Sequence, residues 1–138
     1  MKNNKMNYYK FAEDDYYGIK KNIQYEIYFT GLPALCQNTC ERFLKHIIDI
    51  YIPENEDNKD DRNFAMHTHS LRNLCDFINN NLNDFEIDKR KIYQVDGFYF
   101  TSRYPMRDNG LADKEDSLIA WDVTKYCKKV VDDYIESH

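Results

Sequence analysis

Apolar residues recur along this chain at spacings of three and four, and no segment sustains an alternation of two, so the pattern predicts an all-α protein. Tyr9, Ala12, Tyr16, Ile19 and Ile23 set out a first helix over 8–24 whose opposite face is charged. A second helix is predicted to start after Thr30 or Gly31, with Pro33 tolerated in its first turn, and to run to about Tyr51. Leu32, Leu35, Cys36, Thr39, Phe43, Ile47 and Ile50 form its main stripe, and Leu44, Ile48 and Tyr51 widen it. A stripe this wide marks a central helix covered on more than one side.

Pro53 ends that helix, and the acidic stretch 53–66 reads as a solvated loop. Leu71, Leu74, Cys75, Ile78 and Leu82 predict a third helix over about 70–81, with Thr68 or His69 near its cap. A fourth is predicted over about 88–101 from Ile92, Val95, Phe98 and Tyr99, with Gly97 as an internal weakness. The loop around Asn109-Gly110 then leads to a last helix over 114–136, with Ile119, Val123, Tyr126, Val130 and Tyr134 on one side. Short connections between amphipathic helices predict an up-and-down bundle of four or five helices. The chain reads as a single domain over 1–138, with residues 1–6 a disordered tail.

Composition narrows this picture only in part. At 138 residues the chain can bury an ordinary core without disulfide or metal staples. Cys36, Cys40, Cys75 and Cys127 each fall on or beside an apolar stripe and read as reduced, structural thiols. No stretch has the length of a signal peptide's apolar region or of a membrane span, which predicts a soluble cytoplasmic protein without a membrane role. A net charge of −5, with acids blocked at 54–61 and 113–116, excludes a broad electrostatic grip on nucleic acid. Contact with a phosphate must be local.

The strongest local candidate is Arg103-Tyr104-Pro105, a guanidinium beside a proline-stiffened turn just before the last helix. The second helix adds Gln37, Glu41 and Lys45 at four-residue spacing, and Thr68-His69-Ser70-Leu71 opens the third. In that order these segments resemble the HEPN family of small helical bundles, often encoded with nucleotidyltransferases. Gln37 to Lys45 looks like the family's Q-x-x-x-E-x-x-x-K helix, and Thr101-Ser102-Arg103-Tyr104-Pro105 looks like its T-x-R-Y-P. The resemblance covers nearly the whole chain. It implies a homodimer, a minimal nucleotidyltransferase as partner in a toxin-antitoxin-like system, and nucleotide or RNA phosphate as ligand; no cofactor is expected, and the residues themselves offer no convincing metal site.

The family's ribonucleases carry a histidine four to six residues beyond the arginine, where this chain has Asp108, Asn109 and Gly110. The resemblance therefore implies a binding or accessory module rather than a nuclease. The competing expectation is a ribonuclease in which Asp108 or His69 replaces that histidine, and a third is a purely structural dimerisation domain. Arg103, Tyr104, Glu41, Lys45 and His69 are the candidate ligand residues. Each also has a plain structural reading: Arg103 as a helix cap, Glu41 and Lys45 as a surface ion pair or Glu41 as a support for Arg103, and His69 as a cap or tie. His67 and His69 flank one residue without a second ligand pair, which is a weak zinc signal, and Arg62 to His67 matches the arginine-histidine spacing by coincidence.

Overall fold

The first helix begins where Asn7, in extended backbone, turns its side-chain oxygen back to accept from the Lys10 N–H at 3.0 Å. The computed structural model describes residues 7–96 and 112–138. Among them lie six helices and no strand: α1 Tyr8–Gln24, α2 Leu32–Tyr51, α3 Lys59–His67, α4 Leu71–Asn81, α5 Lys89–Tyr93 and α6 Ala112–Glu136. The all-helical bundle expected from periodicity forms, but with six helices among the described residues rather than four or five. None of these helices is long and apolar enough to cross a membrane.

α2 is the axis of the bundle, packed against α1, α3, α4 and α6. Cys36, Cys40, Phe43, Leu44, Ile47 and Ile48 are fully buried on it, and Phe43 meets the edges of Tyr9 and Tyr16 from α1. Ile50 departs from the expected stripe and is exposed. It lies about 200° around the helix from Ile48, so the burial of Ile48 turns it outward, and the core contact continues through Tyr51 and Ile52 instead.

The last helix buries Val123 and Tyr134 as expected, but its inward face is shifted from the stripe its large side chains suggest. Ala120, Val123, Thr124, Cys127, Val131 and Tyr134 face inward, while Ile119 is exposed and Tyr126 and Val130 are only half-buried. Small side chains let α6 approach α2 closely: the Cys40 thiol contacts Thr124 Oγ1 at 3.8 Å, and the Cys127 thiol meets the Cys40 carbonyl at 3.9 Å. Thr124 satisfies its hydroxyl by donating to the Ala120 carbonyl at 2.7 Å. Trp121 is buried against the Tyr16 ring. All four cysteines are free and buried, and burial pushes the Cys36 and Cys75 thiols up to about 12.

The stretch 53–66, expected as a loop, is corrected by α3. Asp60 and Asp61 stand in its first turn, where the helix dipole favours negative charge, and Ala65 is buried. Arg62 Nε donates to the Ile52 carbonyl at 2.7 Å and so ties α3 to the end of α2. Neither anchor shows in a hydropathy pattern. α4 starts at Ser70, whose hydroxyl accepts from the Asn73 N–H, and buries Leu71, Leu74, Cys75, Phe77 and Ile78. The helix expected over 88–101 is cut short: α5 ends at Tyr93 and 94–96 form a turn, with Ile92 and Val95 buried as expected; residues 97–101 of that expectation lie outside the described residues, as do 1–6.

Candidate functional site

Residues four apart stand above one another on a helix, so Gln37, Glu41 and Lys45 form a single ridge of α2. The ridge faces the α3–α4 connection, and His69 lies against it. Gln37, itself buried, donates from Nε2 to the His69 carbonyl at 2.9 Å, which fixes the backbone. One turn on, Glu41 Oε1 and His69 Nδ1 meet at 3.2 Å, which fixes the ring; Nδ1 is the donor when Glu41 is ionised. Lys45 Nζ lies 3.8 Å from the same oxygen, an ion-pair distance longer than a hydrogen bond.

The ridge is deeply placed for charged groups: the side chains of Glu41 and Lys45 are 6% and 10% exposed, whereas that of His69 is 51% exposed. Burial pushes the Glu41 carboxyl above its usual range, against the pull of His69, Lys45 and Arg42. Burial likewise pulls the Lys45 ammonium down, against the support of Glu41. Glu41 Oε2 is buried and, among the described residues, has no hydrogen-bond partner.

A cavity of about 320 Å³ opens over these groups, lined by Tyr8, Asn38, Glu41, Arg42, Lys45 and His69. Arg42 pairs with Asp15 of α1 and so is held at the rim. Two larger hollows are less suited to an anion. One of about 580 Å³ on the other side of His69 reaches the start of α4, but there Asp96 already accepts from the Leu71 and Arg72 N–H groups at 2.9 and 3.1 Å. Another of about 750 Å³ between α1 and α6 is rich in lysine, but two of its lysines are paired within it, Lys128 to Asp132 at 2.7 Å and Lys129 to Asp133 at 2.8 Å, and the Tyr9 hydroxyl donates to Asp132 at 2.6 Å.

Comparison with protein-family models, curated proteins and solved structures gives no match.

Three of the five candidate residues, Glu41, Lys45 and His69, thus meet at one cavity. Arg103 and Tyr104 lie outside the described residues, as does Asp108. Glu41 and Lys45 are not the exposed surface pair that their spacing allows: both are buried, and His69 of the α3–α4 connection lies on Glu41. His67 takes a different partner from its neighbour, the Asn63 carbonyl on α3 at 2.8 Å, and Arg62 is held by Ile52 and Asp49. Among the described residues no group of three or more His, Cys, Asp or Glu side chains is arranged to hold a metal ion. Asn38, Arg42 and Tyr8 were not singled out by sequence. For Arg42 and Asn38 a signal existed, since each follows a ridge residue by one position; Tyr8 comes from another helix and had none.

Proposed function

We propose that this chain is a HEPN-like accessory module that binds nucleotide or RNA phosphate, pairs with a minimal nucleotidyltransferase in a toxin-antitoxin-like system, and lacks ribonuclease activity of its own. The observation that carries this reading is the cavity over the Glu41–Lys45 ridge. Lys45 and Arg42 line it, paired with Glu41 and Asp15 respectively, His69 supplies a half-exposed imidazole, and low exposure strengthens each interaction with an anion. The motif order from Gln37 through His69 to Arg103 supports the family and hence the partner. The net charge of −5 favours a small, local ligand contact over a long nucleic-acid track.

A second reading, a ribonuclease with His69 in place of the absent histidine, is favoured by one observation. Glu41 holds the His69 ring through Nδ1, the orienting support that a general acid or base requires. A time course of labelled RNA with wild-type protein, Arg103→Ala and His69→Ala, without added metal, separates the two. Retention of RNA or nucleotide without cleavage, weakened by Lys45→Ala, supports the binding module. Cleavage by wild type that is lost in His69→Ala supports the nuclease. Light scattering across a wide protein concentration range tests the homodimer, and a monomer throughout removes it.

A further inference from the structure

α1 carries a face that the bundle does not use. Phe11, Asp14, Gly18, Lys21 and Tyr25 recur at spacings of three and four, which puts them on one stripe of the helix, and all five are exposed. Tyr25 is the C-cap, and its N–H bonds to the Lys21 carbonyl at 3.0 Å, so the helical register runs through to it. Single exposed apolar residues are ordinary, and Phe11 and Tyr25 alone would carry nothing. The residue midway between them is the unusual one. Glycine inside a helix lowers stability relative to alanine, and Gly18 has neither of the reasons that normally retain it. A Cβ there meets nothing within 4 Å, and its backbone is not in the left-handed region. Its carbonyl is already served by the Asn22 side-chain amide at 3.0 Å. What a missing side chain on an open helix surface does permit is the close approach of a second backbone.

We infer that α1 packs against α1 of a second copy of this chain, antiparallel and crossing at Gly18. Charge along the stripe selects that partner. Asp14 lies about one turn before Gly18 and Lys21 about one turn after it, and among the described residues neither has an ion pair. A two-fold axis through Gly18 turns the second helix end for end, which sets Asp14 of each copy by Lys21 of the other, and Phe11 by Tyr25. A parallel arrangement sets Asp14 against Asp14 and Lys21 against Lys21, and is repelled. Tyr8, one turn before Phe11, lines the cavity over Lys45, so Tyr25 of the second copy comes to that rim. The inference rests on the homodimer reading and adds the face through which the copies meet. One helix pair covers less area than an interface of standard size, so the association expected is weak and concentration-dependent.

Sedimentation equilibrium of the full chain over a wide protein range tests this, and the wild type is expected to pass from monomer to dimer within it. Gly18→Gln keeps a good helix former and adds no apolar surface. It is expected to weaken association about tenfold or more, while the thermal midpoint of the dilute monomer holds or rises. Asp14→Lys opposes like charges across the axis and is expected to weaken association several-fold, as is Lys21→Asp. The double exchange sets opposite charges together again and restores most of the wild-type association. A wild type that stays monomeric throughout overturns both the inference and the homodimer reading. A dimer whose strength Gly18→Gln leaves unchanged overturns the inference alone, because the copies then meet through another face. A double exchange that associates no better than its single members overturns the antiparallel pairing.

Discussion

Lys45→Met tests whether the Glu41–Lys45 ridge stabilises the fold or is retained at a cost in stability. At 3.8 Å, with an effective interior dielectric of 20, the attraction between the two charges is about 4 kcal/mol. Stripping water from each group costs several kcal/mol, and the pair lacks the direct hydrogen bond that would offset it. Removing Lys45 alone leaves Glu41 buried, with an oxygen that has no partner among the described residues and with His69 and Arg42 beside it as cationic groups, so a loss of roughly 2–4 kcal/mol is expected. Removing both charges in Glu41→Leu with Lys45→Met also removes both desolvation costs, and stability is expected within about 1 kcal/mol of wild type or above it. Urea unfolding followed by far-UV circular dichroism reads the difference as a midpoint roughly 1–2 M lower for the single variant and close to wild type for the double. A single variant that unfolds with the wild type, or a double variant whose loss is the sum of its parts, refutes the reasoning. A stable double variant that no longer binds nucleotide would show that the pair is there for the ligand.

Phe43→Ala empties the centre of α2, where the ring is fully buried and meets Tyr9 and Tyr16; a loss of about 3–5 kcal/mol is expected, and a thermal or urea transition shifted by less than about 1 kcal/mol counts against it. Glu26, with φ 55°, closes α1 in the left-handed region while Ile27 N–H bonds back to the Asn22 carbonyl, so Glu26→Gly is expected to raise stability by about 0.5–1 kcal/mol, and a fall would show that the side chain contributes more than the strain removes. His138 is held by Asp84 at 2.7 Å, which raises its pKa above the ordinary value, as the Tyr134 carbonyl also does. A raised folded-state pKa means that this tie stabilises fully below the ordinary histidine value and is lost as pH rises through the folded one. An NMR titration should place the His138 midpoint above 6.5, falling in Asp84→Asn; a wild-type midpoint at or below 6.5 contradicts the contact.

The helices legible in the sequence are those whose apolar period is long. α1 and α2 match their expected spans because seventeen and twenty residues of sustained period leave little choice of which face to bury. α3 was not legible, since its nine residues bury little beyond Ala65 and it is fastened by Arg62 to the Ile52 carbonyl just past the end of α2. The inward face of α6 was misjudged for a related reason: size suggested Ile119 and Tyr126, but the closeness of α2 selects Ala120, Thr124 and Cys127. Hydropathy counts residues; packing chooses faces.

The chain by itself determined that Gln37, Glu41 and Lys45 share one ridge, because four-residue spacing on a helix admits no other arrangement. It also determined that charge could serve an anion only locally, since acids exceed bases across the sequence. Tertiary structure alone decided that this ridge is buried rather than solvated, and that His69, 28 residues beyond Glu41, closes over it. The physical reason is that burial and partnering depend on what other helices cover. A sequence fixes the order of charges along a helix, and only the packed bundle fixes how much water each of them keeps.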